Sequence, residues 1–133
     1  MSNATTTLAE LTELIRQFTR EREWEPFHHP KDLGVALAIE VGEILEHFRY
    51  RTNEQIHDYL QVTSSKRELS HELADGMWLL LRLADVCDVD LADAMKEKLL
   101  LAAEKYPADL VRGKPDKYTA YQKQSPPSCE PTP

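Results

Sequence analysis

Two pairs of acids lie within the apolar stripes of two expected helices, and that combination limits what this chain can fold into. The first pair is in Glu40-Val41-Gly42-Glu43 and the second in Glu72-Leu73-Ala74-Asp75, with 28 residues between the two segments. In a helix, a spacing of three puts both carboxylates of a pair on one face. Leu33, Leu37, Ile44 and Phe48 recur at the interval of a buried helical stripe, and Glu40 falls inside it. Leu69, Leu73, Leu80 and Leu83 form a second stripe, with Glu72 beside it. A core-facing carboxylate costs several kcal/mol unless it is paired or coordinates a metal. Four acids converging from two helices cannot neutralise one another, so they imply a cation. An all-oxygen donor set suits a hard ion, Mg2+ with Mn2+ as the alternative. Gly42 and Gly76 sit beside the acids. A helix-interior glycine costs about 1 kcal/mol against alanine, which points to close approach at both positions.

The remaining sequence supplies helices and breaks. Thr7 to Glu10 fits a capping box, followed by a stripe of Leu8, Leu11, Leu14, Ile15 and Phe18 running to about Arg22. Trp24 to Pro30 carries two prolines and interrupts it; a second helix is expected from Lys31 or Asp32 to Phe48. Thr52 or Asn53 would cap a short helix over Glu54 to Leu60. Val62 to Ser64 reads as a linker, and Ser65 to Glu68 as a capping box opening a third main helix to about Cys87. Met77 to Leu81 is apolar on every side, so it must be central or buried against another subunit. Asp90 would cap a last helix from Leu91 to about Lys105, ended by Tyr106-Pro107. No strand-period alternation occurs. The expected fold is all-α, a bundle of four main helices in one domain over 1–123, with a disordered Pro-rich tail over 124–133.

Charge and composition remove several function classes. A formal net charge of -7 argues against a nucleic-acid groove, which needs clustered Lys and Arg. An acidic protein that handles a polyphosphate must do so through metal. No apolar run approaches the length of a membrane span, and the N-terminus lacks a signal peptide's apolar region. Cys87 and Cys129 make neither a disulfide framework nor a metal motif. The expected location is cytoplasmic. Of the di-metal chemistries built in helical bundles, ferritin-like redox sites need Glu-x-x-His at i+3. Here His47 lies four residues after Glu43, and His71 immediately precedes Glu72. Metal-assisted phosphate chemistry fits the carboxylates better.

The acid quartet and its spacing resemble the E-x-x-E…E-x-x-D motif of the MazG-like all-α nucleoside triphosphate pyrophosphohydrolases, most closely their dCTP pyrophosphatase branch. Phe18, the segment Arg20 to His28, Lys105-Tyr106-Pro107 and Lys117-Tyr118 resemble that branch as well, so the likeness covers roughly Leu11 to Tyr118. It implies that Glu40, Glu43, Glu72 and Asp75 bind Mg2+ and carry catalysis, with a water attacking the α-phosphorus of a nucleoside triphosphate. It implies Trp24 as a wall for the base, with Phe27 and His28 nearby, and substrate contacts from His28, Tyr50, Lys105, Lys117 and Tyr118. It also implies a homo-oligomer, dimer or tetramer, with sites where subunits meet. The chain departs from the branch at Tyr50, where Trp is common, and at Ile15, Ala102, Leu101 and Leu79. The metal centre is intact while base and phosphate contacts are altered. That leaves a non-catalytic nucleotide-binding or helical interaction module as the alternative.

Overall fold

Every regular element of the computed structural model is helical among the residues it describes, residue 2 and residues 4–115. These fall into two compact units, the second beginning at Ala92. The first contains α1 (Leu8–Arg20), a 3-10 turn (Glu25–Phe27), α2 (Pro30–Glu46), α3 (Asn53–Gln61) and α4 (Thr63–Val86). The second carries α5 (Leu91–Lys105), all but its first residue, and α6 (Ala108–Val111). The four main helices expected from the sequence are α1, α2, α4 and α5. Lys117, Tyr118, Cys129 and the Pro-rich tail lie outside the described residues.

Local chemistry accounts for the helix ends. The Thr7 hydroxyl accepts from the Glu10 amide at 3.2 Å, while the Thr7 amide donates to the Glu10 carboxylate at 2.7 Å. This is the capping box, satisfying donors a helix start would leave open. Helix α1 stops at Arg20, two residues earlier than its apolar period suggested. The chain turns there through Glu23 in the left-handed region (φ 53), and the Trp24 amide donates back to the Thr19 carbonyl at 3.1 Å. Helix α2 opens on Pro30, a first-turn position where the missing N–H is no loss. It ends at Glu46, short of Phe48. Thr52 caps α3, with Gln55 reaching back to the Thr52 amide at 2.8 Å.

One boundary differs from expectation. Helix α4 begins at Thr63, so the capping box read at Ser65 is not used and no linker separates α3 from α4. Val62 is the C-cap of one helix and the N-cap of the next, extended at φ -79 and ψ 119. Its carbonyl accepts from the Lys66 amide at 3.0 Å. A single extended residue suffices because first-turn amides have no intrahelical partner to lose.

Helix α4 is the centre of the first unit: α1, α2 and α3 all pack on it. Leu33 of α2 and Leu69, Leu81 and Ala84 of α4 form the buried apolar core. The tight approach expected at the two glycines is absent. A Cβ on Gly76 would meet Ile44 at an ordinary 3.7 Å, and one on Gly42 would meet nothing within 4 Å. Within Met77 to Leu81, Leu81 is buried, but Met77 and Leu80 are more than two-fifths exposed. Val35, Ile39, Val41 and Leu45 of α2 are exposed too. The two central helices thus carry apolar surface beyond the core they share.

Candidate active site

Helices α2 and α4 run antiparallel, and their middles bring three of the four acids together. One carboxylate oxygen each from Glu40, Glu72 and Asp75 lies within 4.8 Å of the others. Oxygens bound to one Mg2+ are at most about 4.2 Å apart, twice the ion–oxygen distance of about 2.1 Å. Small side-chain rotations would therefore close the group on an ion, and its hard-oxygen chemistry fits. The electrostatics agree. Partial burial, then the charges of Asp75, Glu72 and Glu43, raise the Glu40 carboxyl above its ordinary 4.5. Three acids at such separation, with no basic side chain paired to them among the described residues, repel one another until a cation arrives. Glu43 is exposed and outside the trio, although its charge reaches Glu40. His47, weighed as an iron ligand, is engaged elsewhere: its Nδ1 lies 2.6 Å from the Tyr59 hydroxyl.

A second cluster forms where the loop before α2 meets the C-terminal half of α4. Phe18 makes edge contacts with Trp24, at 5.9 Å between centroids, and with Trp78, at 5.1 Å. The Arg22 guanidinium lies 3.5 Å from the centre of the Phe18 ring. Trp24 is thereby held in place yet remains 42% exposed, the posture of a side chain both packed and offered. His28, half-buried, lies at 6.4 Å from the Trp24 ring.

Behind His28 runs a polar chain that the sequence reading missed. Arg82, 7% exposed, donates from Nε to His28 Nδ1 at 3.1 Å and from Nη1 to Asp85 Oδ2 at 2.6 Å. The other Asp85 oxygen accepts from Arg16 Nε at 2.9 Å and pairs with an Arg16 terminal nitrogen. Burial, then the Arg82 charge, hold the His28 imidazole below its ordinary 6.5. The available signal was Arg82 and Asp85 at i, i+3 inside Leu79-Leu80-Leu81-Arg82-Leu83-Ala84-Asp85, a charge pair in an apolar run.

Of the other expected substrate contacts, Tyr50 and Lys105 fall among the described residues. Tyr50 lies past the far end of α2, 89% exposed, with the Arg49 guanidinium 4.7 Å from its ring centre. A shallow hollow there is lined by Glu46, Arg49, Tyr50, Arg51 and Gln55. Helix α2 has 17 residues, about 25 Å of rise, so Trp24 and Tyr50 are at opposite ends of it within one chain. Lys105 is the last residue of α5, in the second unit. Tyr50 is also left-handed (φ 61), which costs a non-glycine residue roughly 1 kcal/mol or more. Tyr50→Gly should therefore stabilise the fold by about 1 kcal/mol in urea unfolding while weakening nucleotide binding. Unchanged binding would remove Tyr50 from the site.

No protein-family model matches the chain. It is 37% identical over 113 residues to human dCTP pyrophosphatase 1, covering 85% of this chain and 66% of that protein. The mouse protein of the same name is 36% identical over the same span. The chain thus spans about two thirds of the length of these mammalian relatives. Among solved structures it resembles a pyrophosphatase from Archaeoglobus fulgidus, with a TM-score of 0.72 and 33% identity, covering 80% of this chain and 98% of that one. The helical fold, the carboxylate trio between α2 and α4 and these relatives agree: the chain belongs to the MazG-like all-α nucleoside triphosphate pyrophosphohydrolases, on their dCTP pyrophosphatase branch.

Proposed function

We propose that this chain is a Mg2+-dependent pyrophosphohydrolase that converts a nucleoside triphosphate, dCTP or a related pyrimidine or modified nucleotide, to the monophosphate and pyrophosphate. The observation that carries the proposal is the convergence of Glu40, Glu72 and Asp75 from two helices. Those three, with Glu43 one turn along from Glu40, would hold the ion. When bound, Mg2+ (or Mn2+) supplies charge neutralisation for the triphosphate and lowers the pKa of attacking water. The chain's own groups orient the nucleotide. Trp24 offers a flat apolar face to the base, and Phe18 and Trp78 keep that face from collapsing onto the core. Lys105, Lys117 and Tyr118 are assigned to phosphate and base by family resemblance.

The same proposal includes a homo-oligomer, dimer or tetramer, acting on the cytoplasmic nucleotide pool without nucleic-acid or membrane partners. Two observations support the assembly. Apolar side chains of α2 and α4 stand exposed in one chain. The two aromatic walls, Trp24 and Tyr50, are about 25 Å of helix apart, so both can flank one base only if different subunits contribute them.

The test is hydrolysis across a panel of canonical and modified dNTPs and NTPs, with Mg2+ and with EDTA. Cleavage that needs the metal and favours cytosine nucleotides supports the proposal. Mg2+-dependent binding without turnover would assign the chain to the non-catalytic alternative. Stability offers an independent check. The raised Glu40 carboxyl favours the metal-free fold below pH 4.5, and that contribution is lost as pH rises through its folded value. At neutral pH, Mg2+ at 100 times its Kd should add about 2.7 kcal/mol and raise Tm by several degrees. No Mg2+ effect on Tm would mean that the acids hold no ion.

A further inference from the structure

His28 is half-buried at the end of the 3-10 turn, and its ring makes one hydrogen bond, accepted from Arg82. A guanidinium only donates, so the ring nitrogen facing it must carry a lone pair. The imidazole proton is then on Nε2. That nitrogen is not among the buried side-chain atoms left without a partner, which for the described residues are Thr19 Oγ1 and Trp78 Nε1. It is therefore open to solvent or ligand. Arg82 in turn cannot swing away, since its Nη1 is bound to Asp85 and Asp85 is bound to Arg16 of α1. The charged groups behind the ring are Arg82, Asp85 and Arg16; Trp24 borders it, and Glu25 and His29 of its own loop are exposed.

The position along the bundle suits a base. Arg82 is seven residues past Asp75, about 10 Å of helix. A nucleotide whose phosphates lie at the acids reaches that far with its base. We propose that Arg82 is a positioning residue that locks His28 as a permanent Nε2–H donor for the acceptor edge, O2 and N3, of a cytosine-type base. The inference rests on the pyrophosphohydrolase proposal above and extends it to specificity. Uracil and thymine carry a proton at N3, so a donor that cannot change tautomer opposes them there. A free histidine could expose either a donor or an acceptor and would not discriminate.

The test combines imidazole 15N NMR with kinetics on the full chain. In the wild type at pH 7.5, His28 should show protonated Nε2 and bare Nδ1. Adding Mg2+ and the non-hydrolysable α,β-imido analogue of dCTP should shift the Nε2–H signal. Arg82→Lys keeps a charge for Asp85 but cannot serve both partners. It should let His28 titrate, raise KM for dCTP about tenfold with kcat nearly unchanged, and reduce the preference for dCTP over dUTP by a similar factor. Should that variant fold poorly, His28→Phe, which removes the donor, should lose the dCTP preference, and His28→Gln, whose amide can present either a donor or an acceptor, should lower it. A wild-type proton on Nδ1, an Nε2 signal indifferent to the analogue, or a fall in kcat alone would overturn the proposal. If the analogue shifts Nε2–H but no triphosphate is cleaved, the hydrolase reading fails and the positioning role stands. If cleavage proceeds while Nε2 stays silent, only the positioning role fails.

Discussion

Glu40→Gln should cut kcat/KM by roughly 1,000-fold while making the metal-free protein more stable. The two effects have one cause. The charge of Glu40 is disfavoured by partial burial, then by Asp75, Glu72 and Glu43. Neutralising it removes like-charge repulsion, so unfolding without Mg2+ should shift to higher temperature. The same change removes a ligand from a centre whose ion stabilises transition-state charge by several kcal/mol, and each 1.4 kcal/mol is about tenfold in rate. The Mg2+-dependent rise in Tm should shrink with the activity. A variant that loses activity and also unfolds more easily would show that Glu40 supports the fold rather than an ion. Stability and activity moving in opposite directions is the signature of a strained functional site.

Asp85→Ala should be the most destabilising single change among the polar residues, at about 3 kcal/mol or more. Its side chain is 8% exposed and joins Arg16 of α1 to Arg82 of α4. Removing it leaves Arg82, itself 9% exposed at the side chain, as a buried unpaired charge. Urea unfolding measures the loss, and a change below 1 kcal/mol would mean that water replaces the carboxylate freely. The pH dependence follows the same bond. The Arg16 hydrogen bond leads in holding the Asp85 carboxyl below its ordinary 3.8, with Arg82 adding to it. A depressed carboxylate stabilises the fold fully above its unfolded value and loses that contribution as pH falls through the folded one. Wild-type stability should therefore drop below about pH 4, and the variant should be flatter there.

How much of this was legible in the residues depends on the range of the interaction. The acid pairs were visible because i, i+3 spacing and an apolar stripe are local, and their separation was enough to let the two helices meet. The capping box at Thr7 was readable for the same reason, and the cap of α3 was narrowed to Thr52 or Asn53, of which Thr52 is used. The start of α4 was not, because Thr63 and Ser64 look like linker residues and nothing local shows that one extended Val62 ends α3. Glu43 matched the motif as well as Glu40, yet it is exposed and outside the trio, although its charge still reaches Glu40. The Arg16–Asp85–Arg82–His28 chain joins three segments across 69 residues of sequence, a proximity that packing alone creates. Trp24 and Tyr50 were assigned to one base from their family positions, and the length of α2 shows that a single chain keeps them apart.

The most direct measurement is hydrolysis of dCTP in 18O-labelled water with Mg2+, followed by mass analysis of both products. Attack at the α-phosphorus, with the triphosphate anchored through the Glu40, Glu72 and Asp75 centre, puts the label in dCMP and leaves pyrophosphate unlabelled. Label in pyrophosphate, or formation of dCDP and phosphate, would place the attack on another phosphorus and contradict the account.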